Sequence, residues 1–181
     1  MKKEKIGFIG LGLMGLGMAK NLLSQGFPLI GYDIDRSRRE RIEEMGGRSI
    51  ETPEKIVDLV NIIILSLPNS QIVDEVVKND LRLFDARYPG LILIDTTTAD
   101  PLMSYSLSHL LKEKGIEMLD VTISGTSKMC AEKDITLMAG GEEKAFKKCK
   151  PIFSAVAKKT FYTGGNGSGA VTKLIVNLVL G

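Results

Sequence analysis

The stretch KIGFIGLGLMGLGMAKNL, from Lys5 to Leu22, carries the pattern that decides the fold. A short apolar run comes first, and glycines then follow at Gly10, Gly12 and Gly15. Beyond this turn the apolar residues recur at the spacing of an amphipathic helix. The stretch therefore predicts a strand, a tight glycine-rich turn and a helix, an arrangement that can bring a helix N-terminus against a ligand.

The rest of the chain repeats this alternation of apolar strands and amphipathic helices. Its clearest strand is VNIIILSL, because a continuous β-branched run suits a parallel strand covered on both faces. The predicted strands are Lys5–Ile9, Pro28–Asp33, Val60–Leu67, Leu91–Asp95, Ile116–Asp120, Ile135–Ala139 and Thr160–Tyr162. The predicted helices are Leu13–Gln25, Ser37–Met45, Ser70–Lys78, Pro101–Lys114, Glu142–Ala155 and the segment AVTKLIVNLVLG that ends the chain. This order predicts an α/β fold of the Rossmann type: a doubly wound, mostly parallel sheet with helices on both faces.

Composition narrows the classes of partner. The 181 residues carry a net charge of +2 with acids among the basic clusters, so we expect no nucleic-acid partner. No apolar run approaches the roughly 20 residues of a membrane span, so we expect no membrane partner. One histidine, His109, and two cysteines, Cys130 and Cys149, provide no set of zinc ligands, and we expect no metal. Reduced thiols indicate a cytoplasmic protein.

Each glycine of the turn has a role if the turn binds a dinucleotide. Gly10 permits the tight turn, Gly12 lets a pyrophosphate approach the backbone, and Gly15 allows close packing of helix on strand. The phosphates would meet the free N–H groups and the positive dipole end of the helix. The predicted loop residues that touch the cofactor are Gly10, Leu11, Gly12, Leu13, Met14 and Gly15. The alternative interpretation is a glycine-rich turn without a ligand.

Asp33 ends the second predicted strand, 18 residues after Gly15. Its carboxylate can accept hydrogen bonds from the adenosine ribose, and its charge repels a 2′-phosphate, which favours NAD over NADP. Arg36, Arg38 and Arg39 follow directly, and one of them could reach a 2′-phosphate. NADP therefore stays a possible cofactor, and a preference for NADPH would implicate Arg36.

Five motifs in order give the chain a family resemblance. They are GFIGLGLMGLGMAKNL, LSLPNSQIVDEVV from Leu65, IDTTTADP from Ile94, DVTISGTSKMCAEKDITLMAGG from Asp120, and GGNGSGAVTKLIVN from Gly164. Together they span almost the whole sequence. The chain resembles the β-hydroxyacid dehydrogenases, a family that includes 3-hydroxyisobutyrate dehydrogenase, tartronate semialdehyde reductase and 6-phosphogluconate dehydrogenase.

This resemblance implies particular site residues. The last motif is similar to the one that carries the family's catalytic lysine, which would be Lys173, with Asn177 one helical turn further on. Lysine can take up the hydroxyl proton once it is neutral, and the amide can hold the substrate. The fourth motif resembles the substrate segment, which implies substrate contacts from Ser124, Gly125 and Thr126. The second and third motifs imply that Leu67, Pro68 and Thr98 line the cofactor.

Three positions depart from the family pattern. Thr126 replaces the second glycine of Ser-Gly-Gly, so the substrate pocket is expected to be narrower or differently hydrogen-bonded. Thr97 stands where serine is usual. Val176 stands where the family has Asn or, in the 6-phosphogluconate branch, His, and its apolar side chain argues against a phosphogluconate-type substrate.

The resemblance also implies a domain plan. Residues 1–163 would form the dinucleotide-binding domain, and residues 164–181 would begin an interdomain helix whose following all-helical domain is absent. We expect the chain to be an engineered fragment or a truncated product that binds cofactor but turns over poorly. The full-length form is expected to be a homo-oligomer.

The sequence thus predicts an oxidoreductase that transfers a hydride between NAD(H) and a small 3-hydroxy acid similar to 3-hydroxyisobutyrate, with acid/base catalysis by Lys173. Two alternatives stay open. One is an NADPH-dependent semialdehyde reductase of the same family. The other is a non-catalytic dinucleotide-binding module, for which the departures at Thr126 and Val176 are the support.

Overall fold

The computed structural model describes residues 3–180 and is built around one sheet. The strands are β1 (Ile6–Ile9), β2 (Leu29–Tyr32), β3 (Arg48–Ser49), β4 (Ile62–Leu65), β5 (Ile92–Asp95), β6 (Glu117–Ser124), β7 (Thr136–Gly141) and β8 (Lys159–Gly164). Their order across the sheet is β3-β2-β1-β4-β5-β6-β7-β8. Within the described residues every neighbouring pair is parallel except β6 and β7. The predicted α/β fold is confirmed.

Helices cover both faces of this sheet. They are α1 (Leu13–Ser24), α2 (Arg36–Glu44), α3 (Ser70–Glu75), α4 (Pro101–Glu113), α5 (Ser127–Ala131), α6 (Glu143–Val156) and α7 (Ser168–Leu180). A short 3-10 helix, Pro53–Asp58, precedes β4, and α3 runs on into a π-helical turn, Val76–Asp80.

Alternate residues of each central strand pack into two separate hydrophobic cores, one on each face of the sheet. Ile62 and Ile64 of β4 pack with α1 and α6, whereas Ile63 and Leu65 pack with α3 and α4. This is why VNIIILSL is apolar at successive positions, since both of its faces are buried.

The antiparallel β6–β7 pair departs from the expected run of crossover connections. Residues 125–135 join the two strands and include only the five-residue helix α5. A parallel crossover needs about a dozen residues or more, so this short connection reverses the chain direction. The predicted strand at Ile116–Asp120 is correspondingly too short, since β6 continues to Ser124 and pairs with β7 over that extension.

The sheet order also places a crevice. The chain moves outward from β1 to β2 and β3, and then returns to add β4 on the other side of β1. At such a switch point the connections leaving the two central strands diverge, and ligands bind at the carboxyl ends of those strands. Among the described residues, no helix combines the length and apolarity needed to cross a membrane.

Candidate dinucleotide cleft and lysine helix

The glycine loop has a distinct steric requirement at each glycine. Gly10 has φ +92°, and a Cβ there would collide with the carbonyl oxygen of Ser66. A Cβ on Gly15 would collide with the carbonyl oxygen of Gly10, so this glycine lets α1 lie directly on the end of β1. Around Gly12, by contrast, the nearest atom to an added Cβ is Nη1 of Arg38 at 3.9 Å. The space over Gly12 is therefore open to a ligand.

The N-terminus of α1 offers free donors at this point. Its N-cap is Gly12, which provides no capping side chain, and no acidic residue lies in the first turn. The first N–H groups of a helix have no partner within the helix, and the helix dipole adds a partial positive charge beside them. The residues present therefore fit a pyrophosphate, which needs such donors and close backbone approach.

A cleft of about 450 Å³ opens over this loop, and we call it the glycine-loop cleft. Its lining comprises Ile9, Gly10, Gly12, Leu13, Met14, Tyr32, Asp33, Ile34, Arg38, Ser66, Leu67, Pro68, Ile72, Val76 and Asp80. Seven of the ten predicted cofactor residues are in this lining. Leu11 and Gly15 are buried and support the loop from below, while Thr98 is exposed and lies outside the lining.

Asp33 ties the end of β2 to the glycine loop. The side chain is only 5% exposed; its Oδ2 accepts a hydrogen bond from the backbone N–H of Leu11 at 2.7 Å. Its Oδ1 accepts one from the N–H of Asp35 at 2.9 Å. A carboxylate has about four acceptor positions, so the lining carboxylate keeps capacity for a ribose hydroxyl. Asp33 thus supports the loop in addition to its predicted role.

The three arginines beyond β2 have separate environments. Arg36 pairs with Glu40 at 2.9 Å, is 83% exposed in its side chain and lies outside the lining of the cleft. Arg39 donates from Nη1 to the carbonyl oxygen of Asp33 at 2.6 Å. Arg38 lines the cleft and places Nη1 3.4 Å from Oδ2 of Asp33. The structure therefore brings Arg38 to the cleft, where the sequence pattern had implicated Arg36.

The segment after β5 supports the cleft from the neighbouring strand. The buried hydroxyl of Thr97 accepts a hydrogen bond from the N–H of Leu67 at 3.2 Å. Thr96 donates from its hydroxyl to the carbonyl oxygen of Leu65 at 2.7 Å. The departure at Thr97 is therefore compatible with its position, because a threonine hydroxyl provides the same acceptor as serine.

The predicted substrate loop follows the end of β6. Ser124 is half-buried, whereas Gly125 and Thr126 are exposed, and Gly125 has φ +145°. The hydroxyl of Thr126 accepts a hydrogen bond from the N–H of Met129 at 3.3 Å, so Thr126 is the N-cap of α5. One acceptor position of this hydroxyl is thereby used by the protein itself.

Helix α7, which we call the lysine helix, carries the predicted catalytic pair. Lys173 is half-buried and Asn177 is exposed, one turn apart on the same side of the helix. The helix packs on β6, β7, β8 and α4. Its outer side exposes large apolar side chains, namely Val171, Leu174, Ile175, Leu178 and Val179.

Asp120 on β6 anchors the lysine helix, a role that the sequence pattern did not indicate. Its two carboxylate oxygens accept hydrogen bonds from the N–H groups of Gly167 at 2.8 Å and Ala170 at 3.0 Å. Nearby, the hydroxyl of Thr122 donates to the carbonyl oxygen of Gly169 at 2.8 Å. Burial raises the pKa of Asp120, and the backbone N–H donors oppose that rise. One feature of the sequence could have indicated this role: Asp120 directly follows a buried apolar run, and a buried carboxylate requires a hydrogen-bond partner.

A second buried carboxyl, Asp95, ends β5 and pairs in register with Asp120. Burial raises the pKa of Asp95 to about 6, and hydrogen bonds from Thr97 oppose the rise. Asp95 also borders a small cavity of about 20 Å³ beneath α4, together with Ser104. Within the described part of the chain, the buried hydroxyl of Ser104 has no hydrogen-bond partner.

Comparisons with known proteins identify the family of the chain. Residues 5–164 match the model of the NAD binding domain of 6-phosphogluconate dehydrogenase. The chain therefore belongs to this family of NAD-binding domains, which confirms both the predicted resemblance and the predicted NAD cofactor.

Individual relatives extend the match. The chain is 33% identical to 2-(hydroxymethyl)glutarate dehydrogenase of Eubacterium barkeri, over 99% of this chain and 60% of that protein. It is 32% identical to NAD-dependent L-serine dehydrogenase of Pseudomonas aeruginosa, over 98% of this chain and 59% of that protein. The structure of Mycobacterium tuberculosis 3-hydroxyisobutyrate dehydrogenase with L-serine matches with a TM-score of 0.92 at 27% identity, over 98% of this chain and 60% of that one. The chain thus spans about three fifths of these proteins.

Proposed function

We propose that the chain is the cofactor-binding part of an NAD-dependent dehydrogenase acting on a small 3-hydroxy acid. The observation that carries the proposal is the glycine-loop cleft, where an uncapped helix N-terminus, an open Gly12 and the carboxylate of Asp33 converge. The named substrates of the relatives, 2-(hydroxymethyl)glutarate, 3-hydroxyisobutyrate and L-serine, share a hydroxymethyl group on the carbon beside a carboxylate.

In this proposal the cleft binds the dinucleotide along its length. The first N–H groups of α1 bind the pyrophosphate, and Asp33 accepts a hydrogen bond from the adenosine ribose. Leu67 and Pro68 line the cleft beside the loop, and Thr98 contacts the cofactor beyond the cleft. The nicotinamide, when bound, accepts the hydride.

The substrate is handled by residues of β6 and the lysine helix. Ser124, Gly125 and Thr126 provide hydroxyl and backbone N–H donors for the carboxylate. The hydroxyl proton of the substrate passes to Nζ of neutral Lys173 as the hydride leaves the carbon, and the ammonium returns it in the reverse direction. The amide of Asn177 holds the reacting oxygen.

We propose that a further domain completes this site. In this proposal residues 1–163 are the dinucleotide-binding domain, and residues 164–181, which include α7 (Ser168–Leu180), lead into an all-helical domain. The exposed apolar side of the lysine helix supports this, since apolar surface of that extent is ordinarily covered by another part of the protein or a second subunit. The full-length protein is then a homo-oligomer. The free, buried thiols of Cys130 and Cys149 support a reducing, cytoplasmic compartment.

Two alternatives each have one supporting observation. A non-catalytic dinucleotide-binding module is supported by the hydroxyl of Thr126, which caps α5. An NADPH-dependent semialdehyde reductase is supported by Arg38, which lines the cleft.

Calorimetric titration of the chain with NADH and NADPH tests the cofactor site. We expect NADH to bind more tightly, and Gly12→Ala to weaken binding by about tenfold or more because its methyl group occupies the phosphate approach. The fold should survive, because the space around Gly12 is open. Asp33→Ala should also weaken NADH binding. Asp134→Ala, which replaces an exposed carboxylate, should leave NADH binding unchanged. Failure to bind either dinucleotide contradicts the proposal.

Turnover of small 3-hydroxy acids by the full-length protein tests the chemistry. Lys173→Ala should lower kcat by about 10²–10⁴-fold, the usual contribution of a general acid or base, and leave NADH affinity unchanged. Lys144→Ala, an exposed lysine on α6, is the matched control. Dinucleotide binding without turnover of any such acid would favour the non-catalytic module.

A further inference from the structure

One side of the glycine-loop cleft carries a small cluster of opposite charges. Arg38 lies between two carboxylates, with Nη1 3.4 Å from Oδ2 of Asp33 and Nε 3.6 Å from Oδ2 of Asp35. The same Nη1 is the nearest atom to a Cβ placed on Gly12, at 3.9 Å. The guanidinium therefore lies between the glycine loop and the end of β2, beside the carboxylate that is proposed to bind the ribose.

The charge balance of this cluster provides no net attraction for a phosphate. Asp33 and Asp35 offset the charges of Arg38 and of Arg39, whose Nη1 donates to the carbonyl oxygen of Asp33 at 2.6 Å, whereas a 2′-phosphate adds about −1.5 to −2. Both ion-pair distances are long, and the side chain of Arg38 is 47% exposed. Exposed pairs of this kind are weak, so each carboxylate restrains the guanidinium only modestly, and removing one of them should change phosphate affinity by a few-fold rather than by orders of magnitude.

Asp35 has two separable roles. Its Oδ1 accepts hydrogen bonds from the N–H and the hydroxyl of Ser37, each at 2.8 Å, which caps α2. Its Oδ2 faces Arg38. The hydrogen bonds from Ser37 hold the pKa of Asp35 below its ordinary value, so the group is charged at neutral pH. Asparagine is an equally good N-cap, so Asp35→Asn removes the charge and keeps the helix.

We propose that Asp35 is a selectivity residue for the cofactor: it competes with a 2′-phosphate for Arg38, and its neutralisation raises the affinity for NADP. The proposal rests on the cofactor site assigned above and adds a second acid to the exclusion attributed to Asp33. A freed guanidinium can then bind phosphate oxygens bidentately.

Titration of four proteins with NADH and NADPH tests this: the parent chain, Asp35→Asn, Arg38→Ala and the double variant. Asp35→Asn should raise NADPH affinity by about fivefold, a gain in the range of one charged contact at a partly exposed site, and change NADH affinity by less than about twofold. The double variant should lose the NADPH gain, because it lacks the arginine.

Glu40→Gln is the matched control. It removes the same charge from the same helix, but its partner is Arg36, which lies outside the cleft. This variant should leave both affinities unchanged. Unchanged NADPH affinity in Asp35→Asn, a gain that persists without Arg38, or an equal gain in Glu40→Gln each overturns the proposal. If the parent binds neither dinucleotide, the cofactor site itself is wrong, and that result is distinct from normal NADH binding with no response to Asp35→Asn.

Discussion

The glycine-loop cleft and the lysine helix are constructed in different ways. The glycine loop of the cleft is one contiguous stretch whose glycines Gly10 and Gly15 are required by contacts with neighbouring backbone, and residues after β2 and β4 complete the lining. The lysine helix depends on the side chain of Asp120, 47 residues before Gly167 in the chain, and it leaves Asn177 exposed. We therefore expect this part of the protein to contain the residues that bind the cofactor, whereas the proposed substrate residue Asn177 lies on an exposed surface.

The largest expected effect separates two glycines within the cleft. Gly15→Ala should destabilise the fold by about 3 kcal/mol or more, because the added methyl group collides with backbone that cannot move away. Gly12→Ala should change the free energy of unfolding by less than about 1 kcal/mol, since its surroundings are open and α1 gains no strain. Urea unfolding measures both.

The control for this pair is cofactor affinity. The Gly12→Ala variant should lose NADH binding and stay folded. This result would distinguish Gly12, which is needed for binding, from Gly15, which is needed for the fold. If the two substitutions lower the free energy of unfolding equally, the loop does not distinguish Gly12 from Gly15 sterically. The separate roles given to these two glycines would then be wrong.

The next effect concerns the anchor of the lysine helix. Asp120→Ala should destabilise the protein by about 2–3 kcal/mol, because two buried N–H groups lose their acceptors. Hydrogen exchange should accelerate in α7 and change little in α1, because the N–H groups that the carboxylate of Asp120 accepts from are those of Gly167 and Ala170. Asp58→Ala, at an exposed position, is the control. Faster exchange throughout the sheet, with no preference for α7, would contradict the anchoring role.

The contrast also explains which features the sequence could disclose. Gly10, Gly12, Gly15 and Asp33 follow a local spacing that corresponds to a local strand–turn–helix geometry, so the sequence pattern is sufficient to locate them. The sequence could not predict that Arg38, and not Arg36, lines the cleft. Which arginine faces the cleft depends on where α2 begins, at the N-cap Asp35, and on the conformations of long flexible side chains.

Other features depended on distant contacts. The edge strand β3 has two residues, Arg48 and Ser49, and no apolar pattern, so it exists only because β2 offers a partner. Helix α5 and the reversal at β7 follow from the length of a connection rather than from periodicity. Asp120 looked like the end of a strand because its partners lie far along the chain.

A smaller effect on stability is expected at Asp95 on β5. Its pKa of about 6 in the folded state exceeds the ordinary value of 3.8, so ionisation disfavours folding. This contribution is absent below the unfolded pKa, grows as the pH rises from the unfolded to the folded pKa, and stays constant above the folded pKa. Replacing Asp95 with Asn should therefore stabilise the protein more at high pH. The difference in unfolding free energy between variant and parent should increase by about 2 kcal/mol from about pH 4.5 to about pH 7.5.

Urea unfolding at the two pH values measures this difference. Asp134→Asn, an exposed carboxylate paired with Lys158, is the control and should show little dependence on pH. A difference for Asp95→Asn that stays constant with pH would mean that this carboxyl is equally easy to ionise in the folded and unfolded protein.

The smallest effect tests whether Thr126 belongs to the scaffold or to the substrate site. Thr126→Ala should destabilise by about 1 kcal/mol through loss of the cap of α5, and Thr126→Ser, which keeps the hydroxyl, should be nearly neutral. Glycine, the residue usual in the family at this position, should cost only a few tenths of a kcal/mol, since glycine is itself an acceptable N-cap.

Stability and substrate affinity can therefore be separated at one position: Thr126→Gly leaves the fold nearly unchanged while it removes both hydroxyl and bulk. If this variant of the full-length protein shows a changed KM for 3-hydroxy acids with unchanged NADH affinity, Thr126 shapes the substrate pocket. If KM is also unchanged, the role of Thr126 is confined to α5, and substrate selection falls to Ser124 and the lysine helix.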